Sequence, residues 1–331
     1  MSAADARVAI IGAGLAGLSC ARALADAGIP TRLFDKARAP GGRLSTRRGP
    51  HWQCDHGAQY FTARTREFRR ELERWIAAGA AALWTPRLSI LGGAGEHHPD
   101  PSVQRYVGAP RMNAPARLLA DGLAVHCGQT VRGLERHGER WQLHFLEEES
   151  ASQAFDTVLL ALPAPQALQL LAPVNPHLAD LAGRVVMRPC WALMLDYAEP
   201  CPLPFDAAFI NSGPLRWAAR DGSKPGRSGQ TWLLQATADW SRTYLEHPAE
   251  DIAARLIEAF GAWGAPAPHH ATAHRWRYAD LTEPLELGAA WDGPSGLGLC
   301  GDWLQGGRVE GAWLSGQHLA RQVSSDAAAT R

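Results

Sequence analysis

The sequence predicts an α/β protein with one lobe built on a doubly wound parallel sheet and a second, α+β lobe built on a mixed or antiparallel sheet. Three observations predict it. Val8-Ala9-Ile10-Ile11 is a wholly apolar run that leads directly into Gly12-Ala-Gly14-Leu-Ala-Gly17, as a central strand buried on both faces and followed by a tight turn requires. Leu18 to Ala27 then supplies helix formers up to Gly28, and Thr31 to Phe34 forms a second strand ending at Asp35, completing a β-α-β unit. Far downstream, an apolar strand at Leu297 to Cys300 runs into Gly301-Asp302, a glycine-rich turn and a helix from about Gly311 to Val323.

Between these ends the elements follow in order. Arg64 to Ala78 places Phe68, Leu72, Trp75 and Ile76 at helical spacing, an amphipathic helix. Leu91 to Pro101, rich in Gly, Pro and His, reads as a loop leaving the first lobe. Val125 to Leu134, Trp141 to Phe145 and Thr157 to Leu162 read as strands, the last stopped by Pro163. From Val185 to Tyr278 strand-like segments at Trp191 to Tyr197, Thr231 to Thr237 and Thr272 to Tyr278 surround one helix, Ala249 to Trp263. The expected division is therefore discontinuous: residues 1–80, 111–170 and 288–331 in the first lobe, 81–110 and 171–287 in the second.

Composition removes several function classes. Lys plus Arg equals Asp plus Glu at 33 each, so no overall field draws the chain to nucleic acid or an anionic membrane. No stretch approaches the roughly 20 apolar residues that span a bilayer, and the polar start before Val8 shows no signal peptide, so a cytoplasmic protein is expected. The six cysteines are scattered without metal-ligand spacing, so no metal site is expected. Nine of the thirteen tryptophans follow residue 190, as pocket walls or, more simply, as core. Only Lys36 and Lys224 are lysines.

The glycines carry the first chemistry. After a buried strand and before a helix, Gly12 allows the turn, Gly14 admits a pyrophosphate to the backbone, and Gly17 lets helix and strand pack closely. The helix N-terminus then faces the anion. Asp35, eighteen residues after Gly17, is placed to accept from adenosine ribose hydroxyls. NAD and FAD share this fingerprint. Pro40-Gly41-Gly42-Arg43 adds two further glycines for close approach and an arginine that can pair with phosphate.

Asp35-Lys36-Ala-Arg-Ala-Pro-Gly41-Gly42-Arg43-Leu-Ser-Thr, Asp55-His-Gly57-Ala-Gln59-Tyr60-Phe61-Thr, and Gly301-Asp302 with Arg308-Val-Glu-Gly311-Ala312-Trp313 resemble the flavin-containing amine oxidase superfamily. Trp191-Ala-Leu-Met-Leu195, Ala236-Thr-Ala-Asp-Trp240-Ser and His274-Arg-Trp-Arg-Tyr278-Ala resemble, more narrowly, bacterial renalases and their NAD(P)- and FAD-dependent relatives. The resemblance implies an FAD-binding Rossmann-like domain of glutathione-reductase type with a separate substrate domain. It implies that Gly12, Ala13, Gly14, Ala16, Gly17, Asp35, Lys36, Gly41, Gly42, Arg43, Val131, Ala161, Gly301, Asp302, Gly311 and Ala312 contact FAD, with Gly57, Ala58 and Gln59 near the isoalloxazine ring. The Ser-Gly-Gly-Cys attachment motif of monoamine oxidases is absent, so the flavin is expected to be noncovalent.

The same resemblance implies oxidation of 2- or 6-dihydro isomers of NAD(P)H to NAD(P)+, with O2 as electron acceptor and H2O2 as product. Hydride transfer needs positioning and no obligatory general base. Gln59, Tyr60, His274 and Trp276 are the substrate-pocket candidates; strand alternation puts His274, Trp276 and Tyr278 on one face and Arg275 and Arg277 on the other. An amine oxidase and a flavin-binding redox sensor without turnover remain as alternatives. Many amine oxidases place a lysine near the flavin, and neither Lys36, beside Asp35, nor Lys224, in a loop-like Asp-Gly-Ser-Lys-Pro-Gly stretch, is expected there. A plain NAD-dependent dehydrogenase leaves the Gly301-Asp302 segment unexplained.

Overall fold

The computed structural model describes residues 7–93, 100, 102–148 and 152–329. Its first sheet runs in the order Ala290–Asp292, Leu297–Leu299, Thr157–Leu160, Val8–Ile11, Thr31–Asp35, Ala124–Cys127. Every pairing is parallel except that of Ala290–Asp292 with Leu297–Leu299. Val8–Ile11 lies third from one edge, and all four of its residues are buried, which is why the run is uniformly apolar. Strands from the start, middle and end of the chain thus share one sheet.

The second sheet runs His270–Leu281, Met187–Asp196, Thr231–Ala236, Leu215–Arg220, Ala207–Ile210, Leu88–Leu91. It is antiparallel apart from its last pair, Ala207–Ile210 with Leu88–Leu91. One face packs on the helix Ala249–Gly261 through Trp191, Leu193, Trp232, Ile252, Leu256 and Phe260. Ala192, Met194 and Leu233, which alternate with that set, are buried under Cys54 on the other face.

The two ends of the chain are joined by helix packing. Val309–Ala329 lies along Leu15–Asp26, and a Cβ added at Gly316 would stand 2.2 Å from the Ala16 carbonyl oxygen. Ser19 Oγ donates to the Trp313 carbonyl at 2.8 Å across the same contact. Buried Glu310 accepts from the Arg64 and Thr65 amides and the Thr65 hydroxyl, and Thr65 caps the helix Arg66–Ala77. That arrangement satisfies amide donors that a helix start leaves orphaned.

Several expectations change. The run from Val125 to Leu134 is two strands in different sheets: Gly128, at φ +76°, turns the chain, and Val131–His137 pairs instead with Arg140–Phe145. The Gly128 and Gln129 amides are bound by the carbonyls of Ala37 and Asp35, so the break is anchored. The C-terminal helix starts at Val309 and reaches Ala329. Ala114–Ala120, Ala164–Leu171, Pro176–Gly183 and Ala238–Thr243 are helices without a sequence expectation. Most of the Leu91 to Pro101 loop lies outside the described residues. No helix among the described residues is long and apolar enough to cross a membrane.

Candidate active site

The glycine turn after Val8–Ile11 forms a cradle. Gly12 has φ +106°, and a Cβ there would lie 2.5 Å from the Ala161 carbonyl oxygen; one at Gly17 would lie 2.0 Å from the Gly12 oxygen. Both glycines are needed for close packing. Gly14 differs, because nothing lies within 4 Å of its missing Cβ. That opening is roofed by Gly41 and Gly42, the first bridging to Gly14 and donating to the Ala13 carbonyl, the second 3.3 Å from Gly14 Cα at its own missing Cβ. The helix Leu15–Asp26 has no acidic residue in its first turn, so its positive end is left for an anion. Ala16 is buried beneath it.

Asp35 closes the cradle from the second strand. Its carboxylate accepts from the amides of Ala13 at 2.6 Å and Ala37 at 2.7 Å, leaving lone pairs for ribose hydroxyls. Lys36 is exposed beside it. Val131, half-buried, packs against the core that contains Phe34. A dinucleotide fits this donor set: open space at Gly14, a free helix end, and a carboxylate at the end of the second strand.

Arg43 and Asp302, 259 residues apart, are joined by two bonds of 2.6 and 3.0 Å, and Arg43 also donates to the Ala279 carbonyl. The Arg43 fork is thus engaged by Asp302, a pairing that the expected phosphate contact did not include. Gly301 donates to Ser315 Oγ at 2.9 Å. A Cβ at Gly311 would meet the Gln305 carbonyl oxygen at 1.7 Å, and Ala312 packs on the first core. The turn and helix start thus stand against Arg43.

Gly57 and Ala58 lie directly on Arg43: the Ala58 amide donates to the Arg43 carbonyl at 2.9 Å, and a Cβ at Gly57 would be 2.0 Å from that oxygen. Gln235 Nε2, from the second sheet, donates to the Gly57 carbonyl at 2.8 Å. Gln59 Nε2 donates to the Asp55 and Gly57 carbonyls. Its Oε1 accepts from Lys224 Nζ at 3.3 Å.

Lys224 is the residue that sequence reasoning misplaced. It is fully buried, bonded at 3.0 Å to both Asp55 Oδ2 and Asp221 Oδ1, with Nζ 5.8 Å from the Trp84 ring centroid. Arg227 completes the quartet at 2.5 Å from Asp55 and 3.5 Å from Asp221. Burial raises the Asp55 carboxyl, but Lys224 and Arg227 outweigh it and hold it at about 2. Burial alone would lower the Lys224 pKa, and the two carboxylates raise it above the usual value. The stretch looked like a loop because Asp221–Ser223 is one short turn; only the fold carries it over Asp55.

The four pocket candidates fall into two groups. His274 and Trp276 touch each other, with ring centroids 4.5 Å apart, and both touch His56, at 4.7 and 5.2 Å. Trp276 stacks on His56 and donates to its carbonyl at 2.8 Å, so it braces His56. Gln59 contacts Lys224, and Tyr60 packs against Trp217, Trp84 and the Arg105 guanidinium. Strand alternation holds: Arg275 and Arg277 turn the other way to Glu246. Burial, then His274 and Arg47, lowers His56 to about 3; burial and Arg47 lower His274 to about 4. His56 had no sequence assignment beyond its place in the Asp55 motif.

Residues 10–75 match an NAD(P)-binding Rossmann-like domain, and residues 81–324 match the flavin containing amine oxidoreductase family. A candidate protoporphyrinogen oxidase from Exiguobacterium sp. 255-15 superposes with a TM-score of 0.76 at 12% identity, covering 98% of this chain and 99% of that one. Cyclohexylamine oxidase from Brevibacterium oxydans IH-35A gives 0.72 at 12% identity, covering 98% and 100%. A putrescine oxidase double mutant gives 0.70 at 12%, covering 96% and 98%. At these identities the structures share the fold, while the sequence match spans most of the chain: it belongs to the flavin containing amine oxidoreductase family, and its cofactor is FAD.

Proposed function

We propose that this protein oxidises a dihydronicotinamide ring, in a 2- or 6-dihydro isomer of NAD(P)H, to NAD(P)+ with O2 as the electron acceptor. The balance is one dihydronicotinamide, one O2 and one proton giving NAD(P)+ and H2O2. Bound FAD, held noncovalently by the glycine cradle and Asp35, supplies the hydride acceptor and the route of two electrons to O2. The protein holds the substrate ring at the Gly57-Ala58-Gln59 segment and keeps water away from it. Lys224, kept as an ammonium, fixes the Gln59 amide and is no proton acceptor.

The observation that carries the reading is the fate of the carboxylates. The buried ones among the described residues are Asp55, Glu71, Asp206, Asp221, Asp302 and Glu310. Each is engaged by a cation or by capping donors: Lys224 and Arg227, Arg74, Arg87 and Arg220, Arg43, or the Arg64 and Thr65 amides. None is left to receive a substrate ammonium, and the Asp55 to Gln59 segment is flanked by the mutually paired Lys224, Arg227 and Asp221, by Gln235, and by neutral imidazoles with Arg47 nearby. A neutral ring on an anionic nucleotide suits that surface, and a cationic amine does not.

A second reading, oxidation of an amine, draws support from the two amine oxidases among the structural neighbours. Anaerobic stopped-flow separates the readings, mixing holoenzyme with isomeric dihydro-NAD(P), ordinary NADH and a panel of amines. Bleaching of the flavin absorbance by the isomers alone supports the proposal. Bleaching by an amine overturns it, and bleaching by none makes the protein a flavin-binding sensor.

A further inference from the structure

The edge strand His270–Leu281 presents a row of groups to the first lobe that the cofactor cradle does not use. Ala271, Ala273 and Arg275 face the helix side of the sheet; His270, Thr272, His274 and Trp276 face the other way, where Trp52 meets His270 and His56 meets His274 and Trp276. The hairpin Thr46–Arg48 with Gln53–Asp55 covers this row. His270 and Trp276 are six residues apart, about 20 Å along a strand, so the row extends well beyond a single ring.

Part of its hydrogen-bonding capacity is unused. His56 Nδ1 is buried without a partner, the His274 side chain makes no hydrogen bond among the described residues, and Arg47 has no carboxylate partner among them. The charged and titratable groups facing His56 are His274, Arg47 and Asp55; Arg47 and His56 face His274. Asp55 is already neutralised by Lys224 and Arg227. A guanidinium without a carboxylate partner, beside two imidazoles with unpartnered ring nitrogens that can supply an N–H, suits an anion.

We infer that Arg47, His56 and His274 form an anion subsite that takes the phosphate of a nicotinamide nucleotide. This rests on the reading of the substrate as a dihydronicotinamide, and extends it to the part of the substrate that does not react. A phosphate here takes a charge-assisted bond from Arg47 and accepts from imidazole N–H groups that burial keeps neutral. The phosphate group thereby adds affinity that the ring alone lacks.

The test compares nicotinamide mononucleotide with nicotinamide riboside, which lacks the phosphate, and with inorganic pyrophosphate. Each is titrated into FAD-bound protein by calorimetry. The mononucleotide is expected to bind about tenfold tighter than the riboside. Arg47→Ala and His274→Asn should each weaken the mononucleotide about tenfold and leave the riboside within about twofold. Arg47 is exposed, so its variant tests the subsite without disturbing the core.

Equal losses for both nicotinamide ligands, or none for either, overturn the subsite. If neither nicotinamide ligand binds while pyrophosphate binds and weakens in Arg47→Ala, the subsite stands and the dihydronicotinamide reading falls. If pyrophosphate and mononucleotide both fail to bind, the subsite falls.

Discussion

Replacing Lys224 by Met removes one charge from a buried quartet while keeping most of the side-chain volume. In the native protein Lys224 bonds Asp55 and Asp221 at 3.0 Å each, with its side chain and those of Asp55 and Arg227 at 0% exposure. Breaking a buried pair by removing one partner costs about 3–5 kcal/mol, because the remaining charge stays desolvated. Arg227 at 2.5 Å, the Thr46 hydroxyl and the Met112 amide still serve Asp55, so the lower end, about 3 kcal/mol, is expected. Asp221 is left worse off, with only Arg227 at 3.5 Å and the Asp55 amide at 3.2 Å.

That asymmetry sets the control. Adding Asp221→Asn to Lys224→Met removes the stranded charge and should recover about half of the loss, so the two substitutions are far from additive. Urea unfolding of the FAD-bound protein, followed by tryptophan and flavin fluorescence together, reads both effects and checks that one transition is being measured. A loss below about 1 kcal/mol for Lys224→Met, or a double variant less stable than the single one, would refute the reasoning.

Three further outcomes are expected. Asp35→Ala removes the acceptor of the Ala13 and Ala37 amides and the carboxylate proposed to take the ribose hydroxyls, and should raise the FAD dissociation constant about ten- to a hundredfold, read from flavin fluorescence on dilution. Gly17→Val puts a Cβ 2.0 Å from the Gly12 oxygen and should cost at least about 1–3 kcal/mol, seen as purification without flavin and a lowered Tm. His56 and His274 have folded pKa values of about 3 and 4, below the unfolded value of about 6.5. Their contribution is complete above that value and is lost as pH falls from about 6.5 towards 4, because the unfolded chain takes up the protons first. The urea midpoint should therefore fall between pH 7 and pH 5, and less steeply in His274→Asn; parallel slopes would contradict this.

The first β-α-β unit was legible because its information is local. An apolar run too short for a helix, glycines where backbone must approach backbone, and an acid at the end of the next strand each constrain a neighbour a few residues away. Gly12 and Gly17 make the contacts expected of them, and Asp35 lies where the cradle needs it. The strand at Leu297–Leu299 and the helix after it were legible for the same reason.

Lys224 was read as a loop residue because Asp221 and Arg227, three positions to either side, look like ordinary charges of a polar turn; the carboxylate that draws them inside, Asp55, is 169 residues away. Arg43 and Asp302, both singled out from sequence, join each other across 259 residues, a pairing that local spacing does not encode. The break after Cys127 was missed because strand-like residues continue on both sides of Gly128, and only the choice of sheet partner separates them. The sequence by itself determined the strand, turn and helix of the cradle, since these depend on backbone sterics and side-chain spacing, and its motifs resembled a family whose cofactor is FAD. Only the tertiary structure decided which charges cancel and which donors stay free around Gly57 to Gln59, because desolvation and Coulomb energy depend on distances between residues that the chain order keeps far apart.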